Sequence, residues 1–597
     1  MPKKLKPVDA VTIGVGWTAG ILAKEMAASG LKVVGLERGG NRDTIPDFLV
    51  PRIHDELRYA VRYDFMQDPS RETITFRNSR SQTARPMRRL GSFLPGDGVG
   101  GAGVHWNGQH YRFLPWDFET KSRITTRYGK NALPEDCTVQ DWGVTYDELE
   151  PYFDQFEYVC GTTGKAGNLK GKIQPGGNPF EGPRQREYPN PAMKMTHATF
   201  LFRKAAEQLG YHPFPQPSSN CTKAYTNPDG IQLGSCAYCG YCERFGCEMF
   251  AKAVPQTTVL PAAMKTGNFE IRTNSMVTKI LLDDSRRRAV GVSYLDLVTG
   301  EEYEQPANIV FLTSYVFNNT RLLLLSGIGQ PYDPATGKGI VGKNYAYQVT
   351  SSVAVYFEDK IMNNFMGAGA CGVLIDDFNG DNFDHSGLGF MGGGYVLTQI
   401  TGSRPIQTHP TPPGTPRWGS EWKKAVARYY NRAFTMSTSG GVFSYRDNYL
   451  DLDPTYRDAY GLPMARLTFD WRENELRRIG YLTDVATKIA KAMNPSKFTV
   501  AGTGWYGTEE KKQVQHYSIV PYQTTHNTGG AIMGADPKTS VVNRYLQSWD
   551  VSNLFVVGAS AFPQNAGYNP TGTVGALAYW TADIIRKKYL KNPGPLV

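Results

Sequence analysis

Apolar residues at the front of the chain fall into two short blocks around a segment with helical spacing. The block DAVTI (9–13) predicts a buried strand, and ILAKEMAASG (21–30) predicts a helix. The block LKVVGLE (31–37) predicts a second strand. The pattern therefore predicts a strand–helix–strand unit of about thirty residues at the start of an α/β structure.

Further apolar blocks predict elements in the second half of the chain. VTSSVAVYFED (349–359) and RLTFDW (466–471) are predicted as strands, and ENELRRIGYLTDVATKIAKAM (473–493) as an amphipathic helix. NLFVVG (553–558) predicts a strand, followed by a helix from near Thr571. The segment TGSRPIQTHPTPPGTPRWG (401–419) is rich in proline and glycine and predicts a surface loop, with a substrate lid or a partner contact as alternatives.

The turn between the first strand and helix carries the pattern GVGWTAG. Gly14 permits a tight turn, and Gly16 allows a pyrophosphate to approach the helix N-terminus. The small Ala19 allows close packing of helix and strand, and Glu37 at the end of the second strand can accept hydrogen bonds from a ribose diol. The unit predicts a dinucleotide site; the alternative is a tight turn in another kind of α/β protein.

Composition and charge narrow the possible functions. The 597 residues are 40% hydrophobic and 20% charged, which is typical of a globular protein. The net charge of +10 comes from scattered basic residues without a nucleic-acid-binding motif, so we expect no nucleic-acid partner. No apolar run approaches the length of a membrane span, and MPKKLKPVDA has no apolar signal region. We therefore expect neither a membrane segment nor an export signal in this chain.

The cysteines are concentrated in one short segment. Cys236, Cys239, Cys242 and Cys247 form the pattern C-x2-C-x2-C-x4-C, half of the eight cysteines in the chain. A disulfide knot and a zinc site are alternatives, but zinc usually takes two well-separated pairs of cysteines. Closely repeated C-x2-C spacing is typical of iron–sulfur loops. The last gap of four and the following Glu248 leave a complete four-cysteine ligand set open.

Three further motifs follow the glycine turn in a characteristic order. They are RRLGSFLPGDGVGGAGVHWNG (88–108), FNNTRLLLLSGIG (317–329) and NLFVVGASAFPQNAGYNPTGTVGALAYWTADII (553–585). With GVGWTAG they resemble the motifs of the glucose–methanol–choline (GMC) oxidoreductases over nearly the whole chain. The second motif departs from the family pattern, because residues 319–321 replace a small residue and a proline.

The resemblance implies a fold that is α/β, and α+β overall. An FAD-binding doubly wound domain of GMC type would be interleaved with an antiparallel-sheet substrate domain. The implied domains are residues 1–340 (discontinuous, carrying the iron–sulfur loop 234–253), the substrate domain 345–510, and the return of the FAD-binding domain in 511–597 with the catalytic residues.

The resemblance also assigns the site residues. His526, in QTTHNTGGAIMG, is implied to be the base that takes the hydroxyl proton while a hydride moves to the flavin. Asn569, in GYNPTGT, is implied to orient the substrate oxygen. His105 is implied to bond covalently to the flavin, with a simple lining role as the alternative. The remaining implied FAD-binding residues are Gly14, Gly16, Ala19, Glu37, Arg38, Gly100, Gly101, Gly103, Trp106, Asn107, Val277, Gly558, Ala559, Pro570 and Thr571.

Within the family, the chain is similar to flavoprotein large subunits of the gluconate 2-dehydrogenase and 2-keto-gluconate dehydrogenase type. This similarity implies oxidation of a hydroxyl of D-gluconate or 2-keto-D-gluconate by FAD. It implies an iron–sulfur cluster, with [3Fe–4S] favoured over [4Fe–4S], whose closest ligand spacing is Cys236, Cys242 and Cys247. Cys239 would then be a thiol or form a disulfide, for example with Cys160.

The same similarity implies partners and a location. Electrons would pass to a multihaem cytochrome c subunit, and a small subunit would carry a twin-arginine signal. The protein would be periplasmic, held at the cytoplasmic membrane only through the cytochrome. The alternatives are fructose, sorbitol or glucose as the substrate, a non-catalytic electron-transfer or scaffold subunit, and a true oxidase with a zinc site.

Overall fold

The computed structural model describes residues 2–49, 65–88, 95–402, 408–500 and 525–596. Its strands of three or more residues are β1 (Val8–Ile13), β2 (Val33–Leu36), β3 (Thr75–Arg77), β4 (Phe269–Arg272), β5 (Ser275–Leu282), β6 (Ala289–Asp296), β7 (Glu302–Leu312), β8 (Gln348–Tyr356), β9 (Gly367–Ile375), β10 (Gly394–Thr401), β11 (Ala433–Gly441), β12 (Tyr449–Arg457), β13 (Pro463–Thr468), β14 (Lys497–Val500) and β15 (Leu554–Val556). Its helices of seven or more residues are α1 (Trp17–Ala28), α2 (Thr120–Tyr128), α3 (Tyr146–Cys160), α4 (His197–Gln208), α5 (Val259–Lys265), α6 (Val316–Ser326), α7 (Ser420–Tyr429), α8 (Glu473–Ala492) and α9 (Thr571–Ile584).

The first sheet contains the predicted strand–helix–strand unit. Its parallel part has the order β4, β2, β1, β7 and β15, and β5 and β6 continue from β7 as antiparallel strands. The parallel strands end in register, with Arg272, Leu36, Ile13, Leu312 and Val556 side by side. Loops that follow these strands therefore meet at one edge, where α/β proteins bind their ligands. The mixed α/β fold class is confirmed.

The second sheet is antiparallel and has six strands. Its order is the two-residue strand Phe214–Pro215, then β9, β10, β11, β8 and β14. Helices α4 and α8 cover one face, where Phe202 and Ile489 pack with Val353 and Val355 in one buried cluster. The amphipathic pattern of residues 473–493 is thus explained by burial of one helix face. Both the strand predicted at 349–359 and this helix are confirmed.

The strand predicted at 466–471 lies elsewhere. β13 belongs to a separate four-stranded sheet, pairing with β12 on one side and parallel to β3 on the other. Side chains hold this pairing, because Arg77 Nε donates to Thr468 Oγ1 (2.9 Å) and Thr75 Oγ1 donates to Asp453 Oδ2 (2.7 Å). The strand itself is confirmed, but it does not join the antiparallel sheet that was expected for the substrate domain of residues 345–510. Its period-2 pattern predicts a strand but carries no information about which strand it pairs with.

The domain bounds stay predictions. The boundary near residue 510 and the beginning of the segment 511–597 lie outside the described residues, as do residues 403–407 of the predicted surface loop. Most of the described residues of that loop lie at the surface, and Trp418 is 83% exposed. No helix within the described ranges is both long enough and apolar enough to cross a bilayer.

A buried ion-pair network ties helix α3 to other parts of the chain. Arg112 donates to both carboxylate oxygens of Glu157 (2.8 Å each) and to Glu150 (3.0 Å), both of which lie on α3. Arg184 also pairs with Glu157, and its side chain is fully buried. Breaking such a pair is costly, because separating the partners would leave a charge buried without a partner.

Candidate active site

A cavity of about 560 Å³ opens at the edge where the parallel strands end. The structure brings to it every residue assigned to the flavin site or to catalysis except Ala19: it is lined by Gly14, Gly16, Glu37, Arg38, Gly100, Gly101, Gly103, His105, Trp106, Asn107, Val277, His526, Gly558, Ala559, Asn569, Pro570 and Thr571. Ala19 is fully buried on α1 instead, consistent with the packing role expected of it.

The front glycine turn leaves open space at the N-terminus of α1. Gly14 has φ +88°, and a side chain there would meet Thr313 and Ser314 at 3.2 Å. Gly16 precedes the helix, and a Cβ at Gly16 would meet only the carbonyl oxygen of Gly100, at 3.8 Å. The space in front of these backbone N–H groups suits a phosphate, because helix N-termini carry partial positive charge.

Glu37 closes this turn from the next strand. Its carboxylate accepts hydrogen bonds from the backbone N–H groups of Val15 and Gly39, both at 2.9 Å. Burial raises the pKa of Glu37, while the two N–H groups act in the opposite direction. Arg38 beside it pairs with Glu72, so the side chains of Glu37 and Arg38 are both held in place at the cavity wall.

The second glycine segment lies directly against the first. Gly100 N–H donates to Val15 O at 2.7 Å. Gly100 has φ +91°, and a Cβ there would lie 2.4 Å from the side-chain nitrogen of Gln256. Glycine is needed here because both the conformation and the space exclude a side chain.

His105 and Asn107 follow this segment and carry buried polar atoms. His105 is 5% exposed, and its Nε2 has no hydrogen-bond partner. Asn107 Oδ1 is buried and likewise lacks one. Burial lowers the pKa of His105 to about 3, with a further contribution from the charge of Lys252. Both residues line the cavity, so these atoms can bond to a ligand that occupies it.

The two residues predicted to be catalytic meet in this cavity from different parts of the fold. His526 has φ +67°, and its Nδ1 lies 2.8 Å from Gln348 Oε1. Burial lowers the pKa of His526 to about 4, so the ring is neutral near pH 7. Asn569 Nδ2 donates to Gln109 Oε1 at 2.7 Å, and Gln109 Nε2 donates to Gln399 Oε1 at 3.2 Å.

Sequence reasoning missed the three glutamines of this region. Gln348, Gln109 and Gln399 belong to no recognised motif, and glutamine is common on protein surfaces. A weak signal was available for Gln348, which stands directly before the apolar strand block that begins at Val349.

The cysteine segment lies next to the segment that carries His105. Arg244 N–H donates to His105 O at 2.9 Å. The fully buried Lys252 donates to Trp106 O and to Cys242 O, both at 2.8 Å. Three donors are satisfied on this ammonium group, because Phe245 O also accepts at 2.6 Å. The cysteine segment and one wall of the cavity therefore form a single hydrogen-bonded unit.

The cysteine side chains approach one another without forming a ligand set. The pKa of Cys236 is raised to about 12, first by burial and then by the nearby thiols of Cys247 and Cys239. Across the described residues, no group of three or more Cys, His, Asp or Glu side chains is arranged to hold a metal ion. None of the eight cysteines, all within the described ranges, forms a disulfide, so the bond suggested between Cys239 and Cys160 is absent.

The residues of the cavity fit FAD. The volume is that of a site for a large organic ligand. The open helix N-terminus beside Gly16 suits the pyrophosphate, and Glu37 is placed for a ribose. The unpartnered atoms of His105 and Asn107 lie further along the same cavity. In contrast, the cysteines in this conformation do not fit an assembled iron–sulfur cluster.

Comparison with known proteins agrees with this description. The chain matches the family described as GMC oxidoreductase over residues 139–350 and 444–578. It is 51% identical to the gluconate 2-dehydrogenase flavoprotein of Pantoea cypripedii, over 100% of this chain and 96% of that protein. It is 25% identical to the fructose dehydrogenase large subunit of Gluconobacter japonicus, over 98% of this chain and 99% of that protein. It is also 25% identical to the 2-methyl-1,2-propanediol dehydrogenase of Mycolicibacterium austroafricanum, over 97% of this chain and 95% of that protein. The chain belongs to the GMC oxidoreductase family.

Proposed function

We propose that this FAD-dependent dehydrogenase oxidises a hydroxyl group of a sugar acid, D-gluconate or 2-keto-D-gluconate. The observation that carries the proposal is the meeting of His526 and Asn569 in the cavity that the glycine segments form. The 51% identity to a gluconate 2-dehydrogenase flavoprotein over the full chain supports the choice of substrate. The side-chain amides of Asn569, Gln109 and Gln399 form a hydrogen-bonded chain. Because amides both donate and accept hydrogen bonds, this chain suits a substrate with several hydroxyl groups.

The roles of the chain's own residues follow from their chemistry. His526 is neutral near pH 7, and hydrogen bonding of Nδ1 to Gln348 leaves Nε2 as the nitrogen that takes the hydroxyl proton. Asn569 is held by Gln109 and orients the substrate oxygen. Bound FAD supplies the acceptor for the hydride that leaves the hydroxyl-bearing carbon. Loss of one proton and one hydride converts the alcohol to a carbonyl group.

A panel of substrates tests the proposal on the purified holoprotein without oxygen. We expect D-gluconate or 2-keto-D-gluconate to bleach the absorbance of oxidised flavin faster than fructose, sorbitol or glucose does. Faster bleaching by one of the other three compounds would identify that compound as the substrate and leave the proposed reaction unchanged. No bleaching by any of the five, with flavin that dithionite still reduces, would favour a non-catalytic subunit.

Two finer cofactor features belong to the same proposal. The spacing of Cys236, Cys239, Cys242 and Cys247 supports an iron–sulfur centre, which the hydrogen bonds from Lys252 to Trp106 and Cys242 would place beside the flavin. The buried, unpartnered Nε2 of His105 supports a covalent bond to FAD. The cluster proposal requires the thiols to be drawn together when iron binds, as metal sites often form only with the metal.

Both features can be measured on the same preparation. We expect iron at about three atoms per chain, lost in Cys242→Ser but kept in Cys371→Ser, a cysteine outside the motif that packs in the same buried cluster. Acid-precipitated protein should stay yellow. An iron-free holoprotein would remove the cluster, and a colourless pellet would remove the covalent bond; neither result would affect hydride transfer.

The partners and location are proposed on the same basis. A relative named as a large subunit, matched over 98% of this chain, supports assembly with other subunits. We propose that these are a small subunit with a twin-arginine signal and a multihaem cytochrome c, at the periplasmic side of the cytoplasmic membrane. A complex purified in mild detergent that lacks haem would contradict the cytochrome.

A further inference from the structure

Gln348 joins the two parts of the chain that carry His526 and Asn569. It opens strand β8 and is 3% exposed. Its Oε1 lies 2.8 Å from His526 Nδ1. Its Nε2 lies 3.0 Å from Ala566 O and 2.9 Å from the carbonyl oxygens of Gly567 and Tyr568, the residues directly before Asn569. One buried amide group thus contacts His526 directly and also holds the segment that leads to Asn569.

The hydrogen-bond partners of the Gln348 side chain determine which end of its amide is the oxygen and which is the NH₂ group. Carbonyl oxygens can only accept hydrogen bonds, so the end that faces three of them must be the NH₂ group. The other end is then an oxygen, which can only accept. The ring nitrogen that faces it must donate, so His526 carries its hydrogen on Nδ1 and its lone pair on Nε2.

We propose that Gln348 is a positioning residue that fixes His526 in the Nδ1–H tautomer and ties it to the segment leading to Asn569. This inference rests on the proposed function. The tautomer aims the basic Nε2 at the substrate hydroxyl, and the contacts with residues 566–568 set the separation of His526 from Asn569.

A neutral amide suits this role better than a carboxylate. A charge beside Nδ1 would favour the protonated ring, which cannot accept a further proton. Burial lowers the pKa of His526, and a neutral amide adds no charge that would reverse this shift. The amide therefore orients the ring without protonating it.

Two substitutions and a matched control test the inference. In Gln348→Leu the ring loses its acceptor, and we expect flavin reduction to slow about 10- to 100-fold, because small errors in placement are costly in catalysis. In Gln348→Glu an ionised carboxylate would stabilise the imidazolium, and the pH below which flavin reduction is lost should rise from about 4 by at least about one unit. The control is Gln305→Glu, a fully buried strand glutamine whose Nε2 also donates to two carbonyl oxygens, away from the cavity.

A second measurement does not depend on turnover. In protein labelled with ¹⁵N-histidine, the His526 resonances, assigned by their loss in His526→Asn, should show the Nδ1–H tautomer, and Gln348→Leu should mix the two tautomers. Unchanged tautomer and unchanged pH dependence in both Gln348 variants would overturn the inference. A wild-type protein that no substrate reduces would instead overturn the proposed function, while the tautomer measurement would still decide the role of Gln348.

Discussion

Replacing His526 by alanine is expected to slow flavin reduction by substrate about 10²- to 10⁴-fold while FAD stays bound. The ring is the group in the cavity that combines a neutral charge near pH 7 with a nitrogen lone pair set by Gln348. Without it, the hydroxyl proton must leave to water in a site that is largely buried. The backbone segments that would hold the cofactor are untouched by the substitution.

The measurement is anaerobic stopped-flow reduction, with FAD content determined on the same sample. The control is His385→Ala, a buried histidine whose Nε2 contacts Gly392 O at 2.9 Å and which does not line the cavity. A His526→Ala protein that is reduced within about twofold of the wild-type rate would end the assignment of the base.

The rate at which substrate reduces the flavin of the wild-type protein should decrease on the acidic side. His526 accepts a proton only when neutral, so flavin reduction should be constant near neutral pH and fall as the pH decreases through about 4. A loss of rate centred near pH 6.5, the ordinary value for histidine, would mean that the ring is more solvated than the structure shows.

Replacing Gly16 by valine is expected to reduce FAD binding at least about tenfold and leave the fold intact. A Cβ at this position meets only Gly100 O, at 3.8 Å, so the apoprotein has room for this carbon at a position that lines the cavity. That room is the space in front of α1 into which the pyrophosphate would fit. The added methyl groups would keep the phosphates away from the backbone N–H groups.

The FAD released per chain and the thermal unfolding of the apoprotein measure this effect. Gly594→Val is the matched control, because a Cβ at Gly594 meets nothing within 4 Å and Gly594 does not line the cavity. Normal FAD content in Gly16→Val would place the pyrophosphate elsewhere. A loss of the fold in Gly16→Val, with Gly594→Val stable, would contradict the free space seen beside Gly16.

The strand–helix–strand unit of residues 9–37 was predictable from the sequence almost residue by residue. Gly14 and Gly16 lie between β1 and α1 as expected, and Glu37 follows β2 and closes the turn. These features depend on contacts within about thirty residues, where hydrophobic period and glycine conformation are local properties. The segments that carry His526 and Asn569 were found through motif resemblance, because no local pattern marks a histidine as a base.

The remaining features needed the folded chain. The pairing of β13 with β3 joins strands almost four hundred residues apart, as the Arg77–Thr468 contact with its separation of 391 shows. Gln348 reaches His526 across 178 residues, and no motif surrounds it. The cysteine spacing predicted a metal centre, whereas the structure shows the thiols near one another but not assembled as ligands.

By itself, the sequence determined the glycine turn, the elements beside it and the clustering of four cysteines, because short-range sterics and periodicity dictate such features. Only the tertiary structure decided which strands pair, that the cysteine segment bonds to the His105 segment, and that an amide holds the proposed base. Those are contacts between distant residues, and their geometry depends on how the whole chain packs.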